Sequence, residues 1–220
     1  MKILTVLHVL ASIPKSLYFN ISYFGFATGC TMPVLVSYRV WLKEMRGTVV
    51  LPRRAGFGSV RIGFGNIGIF DRRHSRSIWE VRGRVVFEGT CAIGHGSKIS
   101  VSGDLVVGSS VAMTAESVVV AKRSVRIGRG VLISWDVLIM DTDLHEILGA
   151  DGVVVNQDAP VVIADDVWIG CRTLVLKGAH IGAGCIVAAS SVVSGEYKDV
   201  RCLLAGVPAK VVRRGVAWRQ

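Results

Sequence analysis

The feature that most constrains the fold is an aliphatic residue at every sixth position towards the C-terminal end of the chain. These positions are Ile163, Ile169, Val175, Ile181, Val187 and Val193. The residue that follows each of them is small in most blocks, with Leu176 as the exception. A period of six is neither the 3.6 of a helix nor the plain alternation of a strand. It predicts a solenoid in which short strands end at corners and the aliphatic side chains point inward.

The same spacing occurs upstream in two groups. One group is Ile127, Ile133 and Ile139, and the earlier group is Phe87, Ile93, Ile99, Leu105 and Val111. The phase slips between Val111 and Ile127, which predicts an irregular stretch over about residues 114–126 between two runs of coils. The pattern also stops after Ile139 and resumes at Ile163, which predicts an excursion loop over about residues 140–162.

Three motifs occur in a fixed order along the chain. They are IGRGVLISWDVLIMDTDLH, IADDVWIGCRTLVLKGAHIGAGCIVAASSVV and LLAGVPAKVVR. In this order they resemble the hexapeptide-repeat acyltransferases, and most of all the O-acetyltransferases of bacterial surface polysaccharide synthesis. The resemblance covers roughly residues 57–214 and implies an all-β fold, the left-handed parallel β-helix, with acetyl-CoA as acyl donor and a homotrimeric assembly. The handedness rests on the resemblance alone, since crossovers between parallel strands are otherwise almost always right-handed.

The expected organisation is one domain with an extension at each end. Residues 1–52 do not share the repeat, residues 53–200 form the β-helix, and residues 201–220 form a C-terminal tail. A chain of 220 residues with 51% hydrophobic content can bury a full core. The 25 glycines and only 5 prolines suit a solenoid with tight corners.

The apolar N-terminal segment leaves two interpretations open. No charged residue occurs from Ser16 to Tyr38, but polar residues and Pro33 interrupt the stretch too often for a confident membrane span. The segment either packs on the solenoid or between subunits, or it lies in the membrane interface. In the second case the residues presented to lipid are Leu17, Tyr18, Phe19, Tyr23 and Phe24.

Charge and cysteine content narrow the partners and the compartment. The formal net charge is +10, yet no helix-turn-helix or aromatic-studded pattern accompanies the basic residues, which argues against nucleic acid. A phosphorylated cofactor, a nucleotide- or lipid-linked sugar, or an anionic membrane surface fits this charge better. Five cysteines without a CxxC pair argue against a zinc ribbon or a disulfide framework and favour the cytoplasm. Peripheral contact with the inner face of the cytoplasmic membrane is compatible with this compartment.

The chemistry is predicted at Asp141–His145, directly after the repeat stops. A histidine in such a loop can accept a proton near neutral pH. The resemblance implies that His145 is the general base that deprotonates the acceptor hydroxyl, which then attacks acetyl-CoA without a covalent acyl-enzyme. The same solenoid hosts zinc carbonic anhydrases, but this chain lacks their close histidine pair, and no metal is expected.

The other site residues follow from the resemblance. The cofactor-binding residues are expected to be Trp168, Gly170, Cys171, Ala188, Ala189, Pro208, Lys210 and Arg213. Small residues let a backbone approach the cofactor closely, although tight corners require small residues as well. The acceptor-binding residues are expected to be Asp141, Asp143, Thr114, Glu116 and Trp135. The asparagine that several sugar acetyltransferases carry about thirty residues before the histidine is absent here.

The predicted function is an acetyl-CoA-dependent O-acetyltransferase that acts on a saccharide. An N-acyltransferase on an amino sugar is the near alternative. A non-enzymatic β-solenoid scaffold and a membrane adaptor are rivals from other classes. A scaffold would favour an uninterrupted wall, whereas this repeat breaks where the histidine appears.

Overall fold

The computed structural model describes residues 2–65, 67–70 and 75–219, with side chains from Val6 onward. The chain begins with helix α1 (Lys2–Gly29), which contains Pro14 and a kink at Gly25. Seven coils of short strands follow, and then a terminal hairpin. Residues 71–74, which include two arginines and a histidine, lie outside the described residues.

The strands are numbered along the chain. Coils 1 and 2 contain β1 (Val34–Val36), β2 (Trp41–Glu44), β3 (Thr48–Val50), β4 (Val60–Ile62), β5 (Ile78–Val81) and β6 (Arg84–Phe87). Coils 3 and 4 contain β7 (Cys91–His95), β8 (Lys98–Val101), β9 (Asp104–Val107), β10 (Val111–Ala115), β11 (Val118–Ala121) and β12 (Ser124–Ile127). Coils 5 to 7 contain β13 (Leu132–Ile133), β14 (Leu138–Met140), β15 (Val161–Ile163), β16 (Trp168–Ile169), β17 (Leu174–Val175), β18 (His180–Ile181), β19 (Ile186–Val187), β20 (Val192–Val193) and β21 (Glu196–Tyr197). The terminal hairpin consists of β22 (Cys202–Gly206) and β23 (Ala209–Arg214).

Each coil contributes one strand to each of three parallel sheets. Sheet A begins with β1, sheet B with β2 and sheet C with β3, and every later strand pairs with the strand three before it. Only β23 departs from this rule, because it pairs antiparallel with β22. The chain therefore winds repeatedly around a triangular core, as the six-residue period predicted.

The predicted inward positions form that core. All six aliphatic residues from Ile163 to Val193 are buried. On sheet A, for example, Ile133 stacks on Ile169 and Ile169 on Val187. Burying one such side chain stabilises the fold by about 1.5–3 kcal/mol relative to exposure. The period of six is thus the spacing between one inward position and the equivalent position on the next face.

The irregular stretch predicted over residues 114–126 is wrong, because these residues belong to the regular strands β10, β11 and β12. The phase slips for a different reason. Coil 4 is 20 residues long, since Met113 lies opposite Ile133 of the next coil. Its two extra residues lie between sheets B and C, where the inward residues Val119 and Ile127 are eight apart, whereas the same step is six residues in coil 6. These two residues shift the period without breaking the wall.

The β-helix also begins earlier than residue 53. Strands β1, β2 and β3 pair with the strands of coil 2 and make a complete first coil within residues 34–50. They start at intervals of seven residues, so a six-residue pattern does not detect them. At the other end, β22 continues sheet A as a partner of β19, so the expected tail supplies part of the wall.

Helix α1 covers the free edge of β1 with polar side chains. These side chains are Ser12, Ser16 and Asn20, which lie on one face of the helix and are fully buried. Asn20 accepts a hydrogen bond from the Val34 amide (3.1 Å) and donates one to the Val34 carbonyl (2.6 Å). Ser16 Oγ accepts from the Val36 amide (2.9 Å). An uncovered edge strand is a template for pairing with other chains, and α1 removes that edge.

The inward face of α1 thus packs on the solenoid, the first of the two interpretations of this segment. Among the residues predicted to meet lipid, Phe19 is instead fully buried, with its ring centroid 5.4 Å from that of Trp79. Tyr23 is partly buried and its hydroxyl accepts a hydrogen bond from Trp79 Nε1 (3.1 Å). Tyr18, in contrast, is 62% exposed. Within the described part of the chain, no helix combines the length and apolarity needed to cross a membrane.

Candidate active site

A loop of residues 141–160 leaves the wall between β14 and β15, at the corner where sheet B passes into sheet C. The first residue of the loop, Asp141, is held in place by hydrogen bonds to its own side chain. The carboxylate is fully buried and accepts hydrogen bonds from the backbone amides of Lys122 (2.8 Å), Arg123 (2.8 Å) and Ser124 (2.6 Å). Both oxygens are therefore occupied by the corner of the preceding coil. This placement differs from the expected contact between Asp141 and the acceptor.

A second set of contacts holds the middle of the loop. Asn156 Nδ2 donates to the His145 carbonyl (2.9 Å) and to Asp143 Oδ2 (2.8 Å). Lys177 Nζ, at the same corner of the next coil, lies 2.6 Å from Asp143 Oδ2 and donates to the Asn156 carbonyl (2.6 Å). The hydrogen bonds from Lys177 and Asn156 lower the pKa of Asp143. Asp143 thus joins Lys177 in anchoring the loop to the wall.

The His145 side chain is exposed and lies in a shallow pocket of about 270 Å³. Besides His145, the lining residues are Lys122, Glu146, Val154, Asn156, Gln157 and Asp158. Lys122 Nζ lies 3.1 Å from Asp158 Oδ2. A hydrogen bond from the Thr142 side chain, followed by that from Lys122, lowers the pKa of Asp158. The imidazole is therefore accessible to a ligand while its backbone is held in place.

The residues predicted for the cofactor and the acceptor lie mainly on a different corner, where sheet A passes into sheet B. We call this the A–B column; its members are Glu116, Trp135, Cys171 and Ala189, one from each of coils 4 to 7. The Arg172 amide donates to the Trp135 carbonyl (3.1 Å), and the Ser190 amide donates to the Cys171 carbonyl (2.9 Å). Successive coils are about 4.8 Å apart, so the column offers a continuous row of corner backbone.

The small residues of the A–B column have a structural reason of their own. A Cβ atom on Gly170 would lie 2.6 Å from the Ala189 nitrogen and 2.8 Å from the Val187 carbonyl oxygen. The next coil therefore requires glycine at this corner whether or not a cofactor binds. Ala189 is exposed and Ala188 is half-buried, so at coil 7 the column presents only methyl groups. Such a surface fits an extended, narrow ligand.

The C-terminal hairpin ends beside the same column. The Gly206 amide donates to Ser191 Oγ (3.3 Å), which places the turn containing Pro208 next to the A–B corner of coil 7. Lys210 and Arg213 are exposed on β23. Trp168 lies on sheet A, where its Nε1 donates to Ser134 Oγ (3.1 Å). The structure therefore places the predicted cofactor residues along one side of the β-helix.

A cluster at the lower end of the column combines two predicted acceptor residues, Thr114 and Glu116, with two residues that were not predicted. His95 is 2% exposed, and its Nε2 lies 3.9 Å from Glu116 Oε1. Lys98 Nζ lies 3.8 Å from Glu116 Oε2. Thr114, on β10 two residues before Glu116, has a buried hydroxyl without a hydrogen-bond partner in the described part of the protein. Glu116 therefore lies between two basic side chains, a neighbourhood that depends on stacking of coils 3 and 4.

Asn156 and Lys177, which hold the loop, were also not predicted from the sequence. The loop carries no periodicity, so nothing in the sequence indicates which residue meets the His145 backbone. Lys177 had one weak signal, because it follows Leu176, the exception to the small second residue of each block. Lys122 could not have been found in this way, because its contact with Asp158 joins two distant segments.

One chain does not bring His145 and the A–B column together. The loop leaves at the corner between sheets B and C, whereas Gly170 and Ala189 lie at the corner between sheets A and B. One face of the triangle separates these corners, and six residues of strand span roughly 20 Å. A second chain is needed to place the two groups side by side.

Comparison with known proteins agrees with this architecture. A family model described as "Bacterial transferase hexapeptide (six repeats)" matches residues 160–195. The chain is 30% identical over 144 residues to an uncharacterized 24.8 kDa protein in the cps region of Klebsiella pneumoniae, covering 59% of this chain and 64% of that protein. It is 36% identical over 100 residues to a putative lipopolysaccharide biosynthesis O-acetyl transferase of Escherichia coli, covering 41% and 50%. The chain thus spans less than two thirds of the length of these curated relatives.

The crystal structure of the polySia-specific acetyltransferase NeuO has a similar fold. Its TM-score is 0.59 at 20% sequence identity, covering 85% of this chain and 87% of that one. At this identity the similarity concerns the fold. Together with the repeat match, it confirms the architecture predicted from the sequence. The chain carries the bacterial transferase hexapeptide repeat on a left-handed parallel β-helix, the architecture of the acetyltransferases it resembles.

Proposed function

We propose that this protein is an acetyl-CoA-dependent O-acetyltransferase that transfers an acetyl group to a saccharide hydroxyl, with His145 as general base. The main support is the break in the wall after β14. Over residues 141–160 the chain leaves the wall, and the structure holds the backbone of this loop so that the His145 imidazole faces an open pocket. The named function of the Escherichia coli relative supports an O-linked acceptor.

The A–B column and the terminal hairpin are the proposed acetyl-CoA site. The exposed corner backbone at Cys171 and Ala189 accommodates the pantetheine arm, and Lys210 and Arg213 lie on β23 at the hairpin end, where they can meet the CoA phosphates. Hydrogen bonds between such cations and phosphate contribute roughly 1.5–3 kcal/mol each when well formed. The chemical fit is a narrow groove of backbone that ends in positive charge.

The reaction follows from these roles. His145 takes the proton from the acceptor hydroxyl as its oxygen attacks the thioester carbonyl carbon, and a tetrahedral intermediate forms. Collapse of this intermediate breaks the carbon–sulfur bond, leaves the acetyl ester on the sugar and releases CoA thiolate, which His145 can reprotonate. A positioned general base contributes about 10²- to 10⁴-fold to such a rate. Asn156 donates a hydrogen bond to the His145 carbonyl, so its proposed role is to position His145.

The separation of the two corners supports an oligomeric site. In a homotrimer, the His145 loop of one subunit can lie beside the A–B column of the next, which creates three equivalent sites. Each site then combines residues that a single chain keeps roughly 20 Å apart. Glu116, Trp135 and Thr114 lie low on the column and are the proposed acceptor contacts within this arrangement.

The test is CoA release from acetyl-CoA with a panel of sugars, nucleotide sugars and lipid-linked sugars. We expect acceptor-dependent release that falls about 10²- to 10⁴-fold in His145→Ala. His180→Ala is the matched control, since His180 lies in strand β18 on sheet C, and it should retain wild-type rates. Equal rates in wild type and His145→Ala would exclude His145 as the base. Transfer only to amino groups would favour an N-acyltransferase. Failure to bind CoA would favour a non-enzymatic β-solenoid scaffold.

Subunit complementation tests the composite site separately. His145→Ala removes the base, and Ala189→Trp fills the exposed corner of the column; each variant should be inactive alone. After co-refolding or co-expression, sites that combine the intact loop of one variant with the intact column of the other should recover roughly one quarter of wild-type activity. No recovery despite confirmed mixed assemblies would show that the site lies within one chain.

A further inference from the structure

The outward face of α1 is apolar although it faces away from the protein core. Its exposed residues are Val6, Leu7, Leu10, Tyr18 and Phe26, which are 53–75% exposed. The inward face, in contrast, carries the buried Ser12, Ser16 and Asn20. A surface helix in water normally has the opposite arrangement, with its apolar stripe on the core. The helix therefore presents to its surroundings the face that normally seeks an apolar environment.

Positive charge is concentrated in the part of the chain that carries this apolar face. Residues 1–62 contain eight lysines and arginines but a single acidic residue, Glu44. Arg53 and Arg54 are exposed in the loop after β3, together with Phe57, which is 60% exposed. The Gly58 amide of this loop donates to the Met32 carbonyl (3.0 Å), which fixes the loop beside the C-terminal end of α1. Aromatic and basic side chains thus share this end of the β-helix.

A groove between α1 and sheet B extends the same surface. It has a volume of about 490 Å³ and is lined by Pro14, Tyr18 and Trp41 among others, with Lys15 and Arg76 as its two cations. The Arg76 guanidinium lies 5.9 Å from the centroid of the Trp41 ring. In the described residues no carboxylate lies within 4.0 Å of either cation. Burial, and then repulsion by Arg76, lowers the pKa of Lys15, so the pair would be stabilised by an anion.

We propose that the outward face of α1, the Arg53–Phe57 loop and this groove form a docking surface for a bilayer that contains anionic phospholipids. The apolar residues enter the interface between headgroups and acyl chains, while the cations meet the headgroup phosphates. A second copy of the chain is a poorer occupant, because it would bring the same positive charges together. The proposal does not depend on the acetyl-transfer reaction.

The test is flotation of the full-length protein with vesicles of phosphatidylcholine alone or mixed with phosphatidylglycerol. We expect binding to the mixed vesicles, much weaker binding to the neutral ones, and loss of binding as salt rises. Leu10→Glu combined with Phe26→Glu should lower the partition coefficient about tenfold or more. Arg53→Gln combined with Arg54→Gln should lower it by about fivefold per charge. Val212→Glu, on β23 and 57% exposed, is the matched control and should leave binding unchanged.

Light scattering and circular dichroism of the same samples separate the competing outcomes. All variants should keep the wild-type spectrum and assembly mass, because the substituted side chains are exposed. If the wild type does not float with anionic vesicles, the proposal is wrong. If Leu10→Glu with Phe26→Glu dissociates the assembly, this face is an interface between subunits instead. Binding that is equal for both vesicle types and insensitive to salt would remove the role assigned to the cations.

Discussion

Asp141 and Asp143 are two positions apart, yet replacing them by alanine should have very different effects on the free energy of unfolding. Asp141 is fully buried and accepts three backbone hydrogen bonds of 2.6–2.8 Å. Asp143 is exposed and pairs with Lys177 at the surface. In Asp141→Ala three amides at the corner of coil 4 lose their acceptor. Each buried amide without a partner costs about 1–3 kcal/mol. Allowing for partial rescue by water, we expect a loss of about 3–5 kcal/mol in unfolding free energy.

Asp143→Ala is the matched control and should leave the unfolding midpoint within error of the wild type. The assay is denaturant unfolding followed by circular dichroism, with acceptor and acetyl-CoA KM values measured on the folded fraction. If Asp141→Ala keeps wild-type stability but raises the acceptor KM, then Asp141 binds the acceptor and our structural assignment is wrong. If Asp143→Ala destabilises as strongly as Asp141→Ala, burial is not the property that separates them.

Three further predictions follow from the packing of the coils. Asn20→Leu leaves the Val34 amide and carbonyl buried without partners, so the Val34 amide should exchange with deuterium about 30-fold faster or more. The pKa of Asp143 is lowered from its ordinary 3.8, chiefly by Lys177, so their contact is complete above pH 3.8 and is lost as pH falls through the lowered value. Loop amides should therefore gain exchange only below this pH, and Lys177→Met should abolish the acid step. Gly94→Ala inserts a Cβ into the backbone of the next coil and should lower the yield of folded protein sharply.

The Asn20 and Gly94 variants each have a control. Ser22→Ala replaces an exposed residue of α1 and should leave Val34 exchange unchanged. Gly56→Ala introduces a Cβ that meets no atom within 4 Å and should fold normally. Wild-type exchange at Val34 in Asn20→Leu would show that α1 does not protect the edge strand. Normal folding of Gly94→Ala would show that coils 3 and 4 can separate at that corner.

The sequence by itself determined the winding of the chain. A six-residue period predicts short strands that end at corners, because a plain strand repeats every two residues and a helix every 3.6. The inward positions from Ile163 to Val193 and the loop after Ile139 could therefore be predicted from the sequence alone. The first coil could not, since its strands start seven residues apart. The register of coil 4 was predicted wrongly because its step from sheet B to sheet C is two residues longer than the same step in coil 6.

Only the tertiary structure decided what individual polar residues do. Asp141 and Asp143 are two residues apart in one loop, yet one is buried under three amides and the other is exposed beside Lys177. In the sequence, Ser12, Ser16 and Asn20 interrupt an apolar segment without an evident reason. In the structure, Ser16 and Asn20 form hydrogen bonds with the backbone of β1. Periodicity fixes which side of a strand faces the core, because that depends on local geometry alone. The partner of a polar group depends on which distant segments the coils bring together, and the sequence pattern does not contain that information.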